Sequence, residues 1–269
     1  MTIDHSRQSR MPEQPQPLSD TALNDLEIGS ATDVGRVREA NEDALLTLRP
    51  DGPRAGQLLV AVADGMGGHQ AGEVASALAI ESLGNALAQV EPNASPEVLL
   101  EHAVELANRT IWQAAAADAA REGMGTTLVC ALVGPDGQVL VANVGDSRAY
   151  SVSAGQAELV TSDHTWVNQQ VLSGQMTERE ARVSPFRNLL TRSLGNAPQV
   201  EADLFALSLG TGDALVLVSD GVTGYLDEGD VASVLRHTGS AQEAAERLVT
   251  EAVNRGGADN ATAVVVRRR

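Results

Sequence analysis

Apolar residues in this chain fall into short runs, and the order of those runs limits the fold more than any other feature. Segments 57–62, 126–133, 139–144, 148–152, 157–160, 200–207, 213–218 and 261–266 are rich in Val, Leu and Ala and have the length of β-strands. Between them, 71–90 and 96–120 are Ala/Leu-rich with apolar residues three to four apart, which predicts two long helices; 231–236 and 241–254 predict a second pair. The turn Gly134-Pro135-Asp136-Gly137 predicts a hairpin between two of the runs. Strands in succession and helices in pairs predict two packed sheets with helices outside, not alternating βαβ units. Only two Trp, two Tyr and two Phe are present, so the core is built from Ala, Val and Leu.

Residues 1–25 are polar, rich in Gln, Pro and Ser, and without periodicity; they read as a disordered leader. No comparable linker follows, so 26–269 reads as one domain. Within it, 163–195 is a long, polar, weakly helical excursion, and segments of that length in a compact domain are usually functional or mobile.

What the chain lacks excludes several chemistries. It contains no lysine: all 19 cationic side chains are Arg. A Walker A loop, a protein kinase and a pyridoxal enzyme each need a Lys, so none of them is encoded here. The single cysteine, Cys130, sits in an apolar run and reads as a buried strand residue, not a nucleophile. A net charge of −17 argues against a nucleic-acid surface, and it suits a site that collects divalent cations. No uninterrupted apolar stretch approaches the roughly 18 residues of a membrane span, and the N-terminus is no signal peptide. A cytoplasmic location without membrane contact is expected, and the sequons at Asn93, Asn108 and Asn260 read as accidental.

The acids fall where the apolar runs stop. Glu42 and Asp43 open one run, Asp64-Gly65 closes another, and Asp146 occupies the tight Gly145-Asp146-Ser147 link. Asp220-Gly221 closes a further run, and Asp259-Asn260 precedes the last. One Asp-Gly pair is an ordinary turn former. Five such positions, each beside a buried run, predict strand ends that converge on a carboxylate cage. Oxygen ligands without clustered Cys or His select hard cations, Mg²⁺ or Mn²⁺, over zinc. Two such ions roughly 3.5–4 Å apart can share a water, lower its pKa and present hydroxide for in-line attack on phosphorus. Arg38, four residues before Glu42, has the planar fork that suits a phosphoryl group.

Eight stretches, in order, resemble the successive motifs of the bacterial PPM (type 2C) metal-dependent protein phosphatases. They are Thr32–Ala44, Val62–His69, Gly123–Thr127, Ala142–Tyr150, Ser162–His164, Leu190–Gly195, Val218–Gly221 and Ala258–Thr262. The resemblance spans about Ile28 to Val266. It implies a four-layer α-β-β-α sandwich, an α+β fold of two antiparallel sheets flanked by helix pairs, with a dinuclear site between the sheets. It further implies that Asp64 bridges two metal ions, with the Gly65 carbonyl completing one of them. Asp220 and Asp259 would hold the other, Asp43 and Glu42 would act directly or through water, and Asp146 would bind a weaker third ion with Asp220. Arg38 would clamp phosphate, and 163–195 would be the flap that influences substrate choice. Animal and plant members commonly carry His after the first Asp-Gly, where this chain has Met66. A His three residues on, His69, or a metal-bound water would then protonate the leaving group.

The implied activity is hydrolysis of phosphoserine and phosphothreonine in proteins, a serine/threonine kinase among them, by a monomer. Two alternatives remain. One is a catalytically weak, phosphatase-like binding or regulatory module. The other is a haloacid-dehalogenase-type hydrolase suggested by Leu215–Thr223, which lacks that family's second acid (Val222) and its Lys.

Overall fold

The computed structural model describes residues 25–68 and 71–269; the predicted leader, apart from its last residue, and His69 lie outside the described residues. The chain runs β1 (Leu26–Asp33), β2 (Asp43–Leu48), β3 (Leu58–Met66), α1 (Ala71–Gln89), α2 (Pro96–Ala117), β4 (Gly125–Thr126), β5 (Leu128–Val133), β6 (Gln138–Val144), β7 (Arg148–Ser153) and β8 (Gln156–Leu159). It continues with α3 (Trp166–Leu172), α4 (Glu178–Val183), β9 (Asp203–Ser208), β10 (Ala214–Val218), α5 (Asp220–Thr223), α6 (Glu228–Arg236), α7 (Ala241–Arg255) and β11 (Ala261–Arg268).

One sheet has the order β1-β11-β10-β7-β8. The other has β2-β3-β5-β6-β9, with the two-residue β4 added against β3. Every pairing is antiparallel. Successive strand residues face opposite sides of a sheet, and the sequence uses both sides. From β3, Leu58, Val60 and Val62 join Val129, Ala131, Leu215, Leu217, Val264 and Val266 in a core between the sheets. The intervening Leu59, Ala61 and Ala63, with Leu128 and Cys130, face a second core closed by α1 and α2. Val216, Val218, Ala263 and Val265 face a third, closed by α6 and α7. Three cores between four layers make the α-β-β-α sandwich. Cys130 is fully buried, and burial pushes its thiol up to about 12, so it is inert.

The helices start on capping residues. Ser95, followed by Pro96, accepts from Val98 N–H ahead of α2, and Ser240 accepts from Glu243 N–H ahead of α7. No helix among the described residues is long and apolar enough to cross a membrane.

Four local expectations shift. β1 was not predicted, because LEIGSATD mixes small and polar residues; it is an edge strand paired along its whole length with β11. The strand expected over 200–207 begins only at Asp203. Asp64 lies inside β3 instead of closing it, and Asp220 opens the single-turn α5 two residues beyond the end of β10. The 163–195 excursion holds α3 and α4. Its two ends are stitched together by the Thr165–Leu190 bridge and to the body by the Thr126–Leu194 bridge.

Candidate active site

The period of two that builds the inter-sheet core also delivers the acids. Leu58, Val60 and Val62 point between the sheets, and the next position in that series is Asp64. Asp43 on β2 stands directly opposite Asp64 in the ladder, two residues from Leu45, which packs on the same core. Where the apolar series ends, two carboxylates take its place at the mouth between the sheets.

Asp64 is fixed through its backbone. Thr127 Oγ1 accepts from its N–H at 3.0 Å, and its carbonyl accepts from Thr127 N–H and from Thr126 Oγ1, both at 2.9 Å. Gly65 follows where α1 approaches: a Cβ there would run into the Gly72 backbone and, at 2.7 Å, the Glu42 carbonyl. Only glycine lets the strand end, the helix start and the Glu42 segment meet.

The other sheet brings its own strand ends to the same mouth. Ser219, between β10 and Asp220, donates its hydroxyl to Asp43 Oδ2 at 2.8 Å and accepts from Thr262 N–H at 3.0 Å. Arg38 Nη2 donates to Asp259 Oδ2 at 2.7 Å, and no other side-chain partner of Arg38 occurs among the described residues. The two residues assigned separately to phosphate and to metal are thus paired with each other, at a half-exposed position where such a pair contributes little to stability.

Asn260 clamps this assembly. Its Oδ1 accepts from Glu42 N–H at 2.8 Å, and its Nδ2 donates to the carbonyls of Val34 and Ala40, each at 2.9 Å. Buried at 4% exposure, this one side chain fastens the 34–42 segment, which carries Arg38, to the start of β11.

Asp146 occupies the link where the chain passes from β6 in one sheet to β7 in the other. Ser147 Oγ lies 2.7 Å from Thr127 Oγ1, the hydroxyl that also holds Asp64. Nearby, Arg148 grips Asp163 with both arms of its fork, at 2.9 and 2.7 Å.

Asp43, Asp64, Asp146 and Asp220 are densely surrounded by protein, yet each keeps a partly open face. Burial first, and then their mutual repulsion, raises all four above the usual carboxylate range. Asp43 and Asp146 each reach about 7, and Asp64 lies well above normal. Burial also raises Glu42, against the opposing pull of Arg38.

Two buried carboxylate oxygens, Asp43 Oδ1 and Asp220 Oδ1, have no hydrogen-bond partner. Unsatisfied, crowded anionic oxygens are what a hard cation needs, so the residues present fit a divalent metal. Among the described residues, however, no three acid, His or Cys side chains converge at ligand distance on a single point. The carboxylates form a neighbourhood, not a closed cage.

Of the predicted residues, Glu42, Asp43, Asp64, Gly65, Asp146, Asp220 and Asp259 are brought to one end of the sandwich, with Arg38 at the rim. Asn260, Ser219, Thr126 and Thr127 were not singled out. All four lie inside the quoted motif stretches; Ser219 and Asn260 each stand between an acid and a buried run, while Thr126 and Thr127 have no acid beside them in the sequence.

A family model described as protein phosphatase 2C matches residues 36–256. The serine/threonine phosphatase stp of Listeria welshimeri is 36% identical over 240 residues, covering 88% of this chain and 94% of that protein. The structure of the S. agalactiae serine/threonine phosphatase superimposes with a TM-score of 0.84 at 38% identity, covering 91% of this chain and 100% of that one. The catalytic domain of the phosphatase PstP, in complex with 2 manganese ions, superimposes with a TM-score of 0.78 at 34% identity, covering 90% and 97%. Fold and relatives together define a protein-serine/threonine phosphatase, a phosphoric monoester hydrolase. The chain belongs to the protein phosphatase 2C family.

Proposed function

We propose that this phosphatase hydrolyses phosphoserine and phosphothreonine with two divalent ions, Mn²⁺ or Mg²⁺, held at the mouth between the sheets, and that a third binds more weakly. The observation that carries this reading is the crowding of four largely enclosed carboxylates, with two orphaned oxygens among them, beside the Arg38 guanidinium. The PstP domain, whose structure contains manganese, supports it. Asp64, Asp43, Asp220 and Asp259, with the Gly65 carbonyl, would hold the tight pair, Glu42 would act through water, and Asp146 with Asp220 would serve the weaker site. When bound, the ions supply a nucleophilic water at neutral pH and neutralise charge on the phosphoryl group.

Arg38 orients the phosphoryl oxygens with the donors that Asp259 leaves free, while Asp259 keeps the fork aimed at the mouth. Ser219 holds the Asp43 carboxylate and Thr127 holds the Asp64 backbone, which limits the freedom of both acids. His69, at the end of the Asp64-Gly65 stretch, or water would protonate the leaving serine or threonine oxygen. Phosphoproteins, a serine/threonine kinase among them, would be the substrates of a monomeric, cytoplasmic enzyme.

The test is turnover of a phosphothreonine peptide after EDTA treatment and again after adding Mn²⁺ or Mg²⁺. Activity is lost and then restored, and Asp64→Asn, Asp220→Asn and Asp259→Asn each lower it by orders of magnitude. Substantial turnover by the stripped protein would falsify the reading.

A further inference from the structure

His164 belongs to none of the roles above, yet it is buried against the turn that carries Asp146. Gly145 N–H donates to His164 Nδ1 at 3.0 Å, so Nδ1 carries the ring's lone pair and the ring proton sits on Nε2. Nε2 stands 3.2 Å from Asp203 Oδ2, whose carboxylate Arg192 also holds. The main chain closes the same contact from the other side. His164 N–H donates to the Gly145 carbonyl at 2.9 Å, and the His164 carbonyl accepts from Thr191 N–H at 2.8 Å. One residue therefore touches the Asp146 turn, both ends of the 163–195 segment and the first residue of β9.

We propose that His164 is a positioning residue for Asp146: a strut that sets the Gly145-Asp146-Ser147 turn and ties it to the root of the 163–195 segment. The turn has little freedom of its own. Gly145 has φ +109°, which side chains disfavour, and a Cβ there would meet Thr127 at 2.7 Å. Ser147 is held by Thr127 on the far side. With Gly145 bound at both its N–H and its carbonyl and Ser147 bound through its hydroxyl, Asp146 has both neighbours fixed. Nδ1 accepts from the Asp146 turn itself, while buried Nε2 faces the Asp203 carboxylate at 3.2 Å without an aligned hydrogen bond, so the ring's one formed side-chain hydrogen bond is spent on that turn. Outer partners of this kind commonly set metal affinity without touching the metal.

The proposal rests on the reading of Asp146 as a metal ligand, and two variants of the full chain separate strut from ligand. In His164→Asn the side-chain oxygen takes the place of Nδ1 and still accepts from Gly145. In His164→Gln the amide nitrogen reaches the place of Nε2 and the Gly145 acceptor is lost. The Mn²⁺ concentration for half-maximal activity, Mn²⁺ binding by calorimetry and hydrogen exchange at the Gly145 amide are compared, alongside ring ¹⁵N shifts of the wild type.

His164→Gln should raise the Mn²⁺ requirement about tenfold and speed exchange at Gly145, with KM for p-nitrophenyl phosphate at saturating Mn²⁺ unchanged. His164→Asn should keep slow exchange and a requirement close to that of the wild type. Equal Mn²⁺ requirements in all three proteins, or a wild-type ring proton on Nδ1, overturn the strut while leaving the proposed function standing. A wild type that binds no Mn²⁺ overturns the proposed function, and the assignment of Asp146 falls with it.

Discussion

Replacing Asn260 tests whether one buried amide holds the phosphate-binding segment in place. Its three hydrogen bonds, at 2.8, 2.9 and 2.9 Å, satisfy Glu42 N–H and the carbonyls of Val34 and Ala40. Asn260→Ala removes all three at a position with 4% exposure. At about 1 kcal/mol each, the loss is about 3 kcal/mol, or a fall in Tm of about 6–12 °C for a domain of this size. Asn260→Asp has the same shape and keeps the bond from Glu42 N–H, but it sets a carboxylate oxygen against two carbonyls. Burial and those carbonyls raise its folded pKa above the unfolded value. Its stability is therefore greatest in acid, where the protonated group still donates to one carbonyl, and is lost as pH rises through the folded pKa.

Calorimetric scans at pH 5 and pH 8 should show Asn260→Ala low at both and Asn260→Asp clearly worse at pH 8. Because 34–42 carries Arg38, KM for p-nitrophenyl phosphate should rise in both variants at saturating Mn²⁺. A Tm within about 2 °C of wild type for Asn260→Ala, which is under 1 kcal/mol on the same scale, would refute the clamp. So would an unchanged KM.

Three further outcomes follow from the same geometry. With Asp43 and Asp146 each raised to about 7 by burial, the EDTA-treated protein should be most stable in acid. It should lose stability as pH rises through 7, and Asp43→Asn should flatten that Tm profile; a Tm that climbs from pH 5 to 8 would contradict this. Arg38→Lys should raise KM for phosphomonoesters nearly as much as Arg38→Ala, because a point charge does not replace the fork; full activity with Lys, measured by steady-state kinetics, would count against a clamp. Deleting 175–185 should reorder a panel of phosphopeptides more than it slows p-nitrophenyl phosphate, and equal damage to both would show that the segment is structural.

Much of the sandwich was legible because it is local. Strand runs, paired helices and the Gly134–Gly137 turn each announce themselves within a few residues. The acids were legible too, since they stand where apolar runs stop; the fold adds why for Asp64, which extends the inward series of Leu58, Val60 and Val62 inside β3. β1 was not, because an edge strand of small and polar residues has no apolar period to read. Nor was the Asn260 clamp, whose partners lie 218 to 226 residues away along the chain. His164 has the same character: it closes the quoted stretch Ser162–His164, but its part is not visible until the fold brings Gly145 and Asp203 to its two nitrogens. Sequence spacing names groups that carry charge. The neutral side chains that aim them depend on contacts between distant segments.

The stitched base of the 163–195 segment makes its outer part exchangeable. Trp166 N–H bonds the Leu189 carbonyl at 2.8 Å, Thr191 N–H bonds His164, and Leu194 and Thr126 bond each other in both directions. Whatever the tip does, those ends stay where they are. Closing a flexible loop costs only about 0.6 kcal/mol more for each doubling of its length. A lineage can therefore rewrite, lengthen or trim residues 173–188, including the exposed Val183 and Phe186, without shifting Asp64 or Asp146. New protein targets can be acquired at the tip while the hydrolytic centre is inherited unchanged.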